Sequence, residues 1–207
     1  MTQKKIIQLD VTTPTQDWCE MVLNSTSNDI IVTGDNHHDL VWFISNFTQF
    51  LCRQGGNEVS VVYGELVKNL KNFIYQVNLS IPTSGRFKAG FHPLYDILLC
   101  FETEPLNRFI IWNNAEVLLK SNRELFKRIF GKLVVSAFVN RNACSTIKED
   151  DTPYHVNQRN IFVFNKTNVE DINFLIEKEY YIPDLNKSYE SKIDFDYIEI
   201  QTQIFID

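Results

Sequence analysis

Asn28-Asp-Ile-Ile-Val-Thr-Gly34, running on through Asp35-Asn-His-His-Asp39, is the stretch that decides how this chain folds. Ile30 to Thr33 is too short and too β-branched for a helix, and Asn28-Asp29 and Gly34 bound it, so it reads as a buried strand. Past the polar turn, Leu40, Phe43, Ile44, Phe47, Phe50 and Leu51 recur at helical spacing. Asn36 or Asp39 is placed to cap that helix, and Gly55-Gly56 to stop it. Val59-Ser-Val-Val-Tyr63 then reads as a second buried strand. Strand, helix and strand in this order form a βαβ unit with a right-handed crossover.

The same alternation continues outward. Pro14 to Leu23 reads as a short helix with Trp18, Met21 and Val22 on one side, and Leu66 to Asn78 as another. Ser80 to His92, with Pro82, Gly85 and Gly90, reads as a loop, and Pro93 suits the first turn of a helix through Phe101. Phe109-Ile-Ile-Trp112 is a third strand. Ser121-Asn-Arg-Glu124 has the form of a capping box opening a long helix toward Arg141. Asn160 to Asn165 is a fourth strand, Val169 to Glu179 a further helix, and Ile193 to Ile206 alternates like a half-exposed strand. The expected fold is α/β: one domain over residues 1–207, with three α/β/α layers and a mostly parallel sheet. Its core spans about 28–170. The segment 171–207 is an acidic extension whose last strand, with one wet face, is expected to run antiparallel and to offer an edge to partners.

Composition narrows the class. A 44% hydrophobic content with 16 Phe supplies a core, and only 7 Gly and 6 Pro argue against disorder. The four cysteines contain no Cys-x-x-Cys pair, and Cys19, Cys52 and Cys100 sit among apolar residues, so buried thiols are expected. Apolar runs fall well short of the about 18 residues of a membrane span, and no secretory leader is legible, so a cytoplasmic protein is expected. The net charge of -6 is uneven: ten acids and three lysines lie between Val169 and Asp207, whereas Arg86 to Lys148 holds ten bases and five acids. An acidic tail beside a basic middle suits docking onto a protein partner or another copy of the chain.

The strand–turn–helix around Gly34, with the strand ending in Asn113-Asn114, resembles the core of a P-loop NTPase of the AAA+ kind. In that family a glycine-rich loop cradles phosphates, a Walker A lysine neutralises them, and a Ser or Thr holds magnesium. Here Gly34 stands where the first glycine belongs, and Asp39, Leu40 and Val41 stand where Gly, Lys and Ser/Thr belong. Asn113 and Asn114 replace the Walker B acids, and an amide is neither a general base nor a good magnesium ligand. Asn165, at the end of the fourth strand, matches the polar sensor position, and Arg141 and Arg159 lie where such proteins may offer an arginine to a neighbour. The resemblance implies a core that has lost hydrolysis. Gly34, Asp35, Asn36, Asn113, Asn114 and Asn165 are then the residues of a degenerate nucleotide site. No cofactor is expected, although ATP or ADP binding without turnover stays open, and the implied role is a structural or adaptor subunit.

Two other chemistries are legible. Asp35, His37, His38 and Asp39 carry metal-ligating side chains after a strand, as in one fragment of a calcineurin-like metal-dependent phosphoesterase. That family also needs an earlier Asp-x-His and later histidines at loop ends, whereas Asp35-Asn-His37 is the single Asp-x-His here and only His92 and His155 follow the His37-His38 pair. Arg86 and Lys88 in Ser84-Gly-Arg-Phe-Lys-Ala-Gly90, with Lys127 and Arg128, would suit a nucleic-acid-binding module.

Overall fold

A computed structural model describes residues 6–10, 15–81, 90–99, 101, 104–142, 154–167, 169–176, 178, 180–181, 190–191 and 195–201. In chain order the strands are β1 (Ile6–Asp10), β2 (Asp29–Gly34), β3 (Asn57–Tyr63), β4 (Asn107–Asn113), β5 (Asn157–Asn165), β6 (Tyr180–Tyr181), β7 (Glu190–Ser191) and β8 (Phe195–Gln201). The helices are α1 (Thr15–Leu23), α2 (His37–Arg53), α3 (Leu70–Ser80), α4 (Phe91–Leu99), α5 (Glu116–Ser121), α6 (Arg123–Arg141) and α7 (Val169–Ile176). Six strands form one sheet in the order β1-β8-β2-β5-β4-β3, and every pairing in it is parallel.

Handedness sorts the helices. Connections running toward β3 use α1 and α2, whose Cys19, Val22, Leu40, Phe43 and Phe47 pack on one face. Connections running back use α3 to α7, which build the other core around Trp112, Phe126, Phe130, Phe162 and Phe164. Right-handed crossovers require this division. Along β5, Phe162 and Phe164 face one core while Ile161 and Val163 face the other, so the strand is dry on both sides.

Several expectations are corrected. The last strand is parallel rather than antiparallel, and it lies between β1 and β2. It therefore has no free edge to lend, and its tail segment completes the sheet. Its alternation has a different origin: Phe195 and Tyr197 fill one core, while Ile198 and Ile200 fill the other. Ile6-Ile-Gln-Leu-Asp10 forms an edge strand that the sequence reading passed over. The helix expected from Leu66 breaks into a 3-10 turn, Gly64–Leu66, and then α3, which Asn69 caps through the Asn72 N–H. Ser121 closes α5, and Asn122 caps α6 by accepting from the Leu125 N–H. Cys19 is buried but Cys52 is exposed, while Cys100 and Cys144 lie outside the described residues.

At the amino ends of the strands a buried polar network replaces apolar packing. The Asn160 amide donates to Asp29 Oδ1 at 2.6 Å and to the Leu133 carbonyl, and it accepts from Gln158. Asn140 donates to Gln158 Oε1 at 2.6 Å and to the Leu98 carbonyl, which also accepts from Arg108. Arg108 is fully buried, paired with Glu58 and stacked 4.1 Å from the Phe101 ring. Burial pushes the Asp29 carboxyl up to about 7, the Asn160 hydrogen bond opposing the shift.

Because the folded state holds the Asp29 proton more tightly than the unfolded chain, the stability that Asp29 contributes is greatest below the ordinary carboxylate range. It declines as pH rises through about 7. Thermal melts from pH 4 to 8 should show this fall, and Asp29→Asn should flatten it and melt higher than wild type at pH 8.

Candidate functional site at the carboxyl ends of the strands

In open parallel sheets ligands bind outside the carboxyl ends of the strands, where neighbouring connections leave on opposite faces. Here that place lies between β2, whose chain departs through α2, and β5, whose chain departs through α7 on the other face. Gly34, Asn113, Asn114 and Asn165 all reach it. The Gly34 carbonyl accepts from the Lys166 N–H at 2.9 Å, and the Ala115 N–H donates to the Val163 carbonyl, tying the strand ends together. Asn114 and Lys166 both adopt left-handed backbone, with φ of 48° and 47°. Asn suits that conformation, whereas Lys adopts it less readily.

The turn from β2 to α2 is only Asp35-Asn36. Asn36 is extended, and its Oδ1 accepts from the His38 N–H at 2.9 Å, so it is the cap. Asp39 falls within the first turn. A Cβ on Gly34 would lie 2.9 Å from Leu40 Cδ2, so the glycine allows the helix to close on its own strand. The turn has neither the length to wrap a phosphate nor a lysine to neutralise one.

His37 and His38 thus belong to a helix rather than a loop. As adjacent helical residues they diverge, their ring centroids 6.3 Å apart. His37 Nδ1 instead meets Asn165 Nδ2 at 3.3 Å. Among the described residues no group of three His, Cys, Asp or Glu side chains is placed to hold a metal ion.

Sequence reading gave little weight to the two acids that organise this end. Glu116 follows β4 and is buried; its Oε2 accepts from the Asn165 N–H at 3.0 Å, joining the ends of β4 and β5. Burial raises its pKa, with Glu65 adding to the rise, while the Asn165 hydrogen bond and Lys120 oppose it. Glu65, in the 3-10 turn after β3, accepts from Asn114 Nδ2. Nothing in the spacing marks Glu65, because its partner lies 49 residues away. Three asparagine oxygens gathered here, Oδ1 of Asn113, Asn114 and Asn165, are buried without a hydrogen-bond partner.

Arg141 and Arg159 lie at the opposite end of the sheet. Arg141 donates to the Thr26 carbonyl and Asn28 Oδ1, and Arg159 donates to the Val22 carbonyl. Arg141 thus holds the segment between α1 and β2, and Arg159 the last turn of α1. Arg128 lies over the Phe91 ring at 3.9 Å, and Lys127 pairs with Glu124. Arg86 and Lys88 lie outside the described residues.

No family model matches the chain, and no curated protein matches it. Solved structures do share its fold. One is Drosophila ORC bound to AT-rich DNA and Cdc6, at TM-score 0.50 and 13% identity, with 91% of this chain and 29% of that chain covered. Another is the Aeropyrum pernix ORC2 protein in ADPNP-ADP complexes, at TM-score 0.50 and 16% identity, with 91% of this chain and 47% of that chain covered. The chain therefore spans less than half the length of each. The fold is α/β of the P-loop NTPase-like kind, with helices on both faces of a parallel sheet.

Gly64 sets how closely the β3 turn approaches the end of β4: a Cβ there would lie 2.0 Å from the Asn114 carbonyl oxygen and 2.6 Å from that of Asn113. Gly64→Ala should cost about 3 kcal/mol, at the upper end of overpacking penalties, in chemical denaturation. Gly55→Ala, where nothing lies within 4 Å, should change stability by less than about 1 kcal/mol.

Proposed function

We propose that this chain is a P-loop-like domain that does not hydrolyse nucleotide and serves as a structural or adaptor subunit contacting other proteins or further copies of itself. The observation that carries this reading is the two-residue turn Asp35-Asn36, capped internally and followed by Asp39, where a phosphate cradle would need length and a cation. Asn113 and Asn114 close β4 without a carboxylate to hold magnesium, and Glu116 is spent on the Asn165 N–H. If ATP or ADP binds at all, it does so without turnover.

A contact surface follows from exposed apolar side chains on consecutive elements. Tyr63 closes edge strand β3, Leu66 lies in the turn after it, and Tyr75 and Leu79 share one side of α3. The outward backbone groups of Tyr63 are occupied by Gln76, whose Oε1 accepts from the Tyr63 N–H at 2.8 Å and whose Nε2 donates to its carbonyl. That closes the end of β3 to strand addition and leaves side-chain packing as the mode of contact. No described helix is long and apolar enough to cross a membrane.

Phosphate release from ATP with magnesium should stay at background for wild type and for Glu116→Gln alike. Turnover in wild type that Glu116→Gln abolishes would overturn the proposal. Tyr75→Lys with Leu79→Lys should leave the melting temperature within a few degrees while weakening self-association in sedimentation or capture of a partner.

A further inference from the structure

Between the first turns of α2 and the ends of β3 and β4 lies a cavity of about 440 Å³. That is within the size range of small-molecule sites. Its walls are apolar where Val41, Ile44 and Val61 face it, and His37, Ser45, Gln49, Tyr63 and Glu65 also line it. No lysine or arginine lines it. Asn113 is only 8% exposed, and its Oδ1 is buried without a partner; Thr48 Oγ1, also in the lining, is buried and unpartnered. A buried acceptor left unpaired is costly, so the wall of the cavity at the end of β4 is locally unsatisfied.

The lining thus carries one carboxylate and an aromatic ring, with His37 as its single titratable base and no lysine or arginine. Phosphate and carboxylate ligands are poorly served by such a set. A positively charged donor is well served, because a carboxylate and a ring face both attract it while the apolar walls take a short hydrocarbon stem.

We propose that this cavity is a binding site for an alkylguanidinium or alkylammonium group. The donor head points at Glu65 and the Tyr63 ring, and the stem lies along Val41, Ile44 and Val61. The group belongs either to a free amine or to an arginine side chain offered by another protein. This site is separate from the adaptor reading, which stands or falls on nucleotide turnover.

Saturation-transfer NMR and calorimetry with agmatine should give saturable binding with Kd of about 0.1–1 mM, in line with the efficiency of ligands of that size. An equal concentration of 1-pentanol, which keeps the stem and lacks the cation, should bind at least tenfold more weakly. N-acetyl-glycyl-arginyl-glycinamide provides the second arm. Tighter binding than agmatine assigns the site to a protein side chain, and weaker binding assigns it to a free amine. Glu65→Gln should weaken agmatine at least tenfold, and Ser45→Trp, at an exposed position on the lining, should block it without disturbing the core. Absence of saturation in both arms to about 20 mM, parity with 1-pentanol, or unchanged binding in both folded variants would overturn the proposal.

Discussion

Strand β5 must be dry on both faces and yet begin with Gln158 and Asn160, and this constraint governs the rest of the structure. A buried amide without partners costs about 1–3 kcal/mol, so each must be matched from a neighbouring element. Asn160 reaches β2 through Asp29 and α6 through the Leu133 carbonyl, and Gln158 reaches α6 through Ser136 and Asn140. These bonds fix β2 beside β5 and set α6 across it. The aromatic stack of Trp112, Phe126, Phe130 and Phe162 then has a defined place to form, with Phe130 and Phe162 centroids 4.3 Å apart. The amides give direction and the rings supply most of the apolar burial.

The two ends of the sheet differ in how completely their polar groups are matched. At the amino ends nearly every buried side chain has partners, Asn140 Oδ1 being left over. At the carboxyl ends Asn113, Asn114 and Asn165 each keep an unmatched oxygen, backbone turns into the left-handed region twice, and a buried glutamate carries a raised pKa. Departures of this kind collect where a fold meets ligands or partners. The amino ends carry the matched polar network, and the carboxyl ends carry the unmatched one.

Much of the architecture was legible because a parallel sheet writes near-continuous apolar runs, and Ile30 to Thr33, Val59 to Tyr63, Phe109 to Trp112 and Asn160 to Asn165 all became strands. The tail was misread for a physical reason. Strand β8 alternates Phe195, Asp196, Tyr197 and then Ile198, Glu199, Ile200, and Asp196 and Glu199 are only half-buried although the strand is internal. A polar residue tolerated inside a sheet imitates one that faces water. Strand β1 was missed because five residues at a chain start give no periodicity to judge. In the site, the cap was narrowed to Asn36 or Asp39, the structure choosing Asn36, and the absence of a lysine was readable locally. Glu65 and Gln76 were not, because the partners Asn114 and Tyr63 are brought to them only by the fold.

Electrostatics finally separates this crevice from the phosphate cradle that its fold suggests. A helix amino terminus favours anions through its free N–H groups and its dipole. In α2 one of those N–H groups is already bound by Asn36, and Asp39 sits in the first turn where it answers the dipole from within the chain. Lys120 acts on Glu116 from its own helix, while Glu65 adds negative potential and the unmatched asparagine oxygens present acceptors rather than donors. On the reading proposed above, a triphosphate brought here exchanges its hydration for acceptors and carboxylates, an exchange that low local dielectric makes worse. On the proposal made above, the same arrangement turns attractive once the sign of the ligand is reversed, and the crevice takes a positively charged group where a phosphate cradle would take an anion.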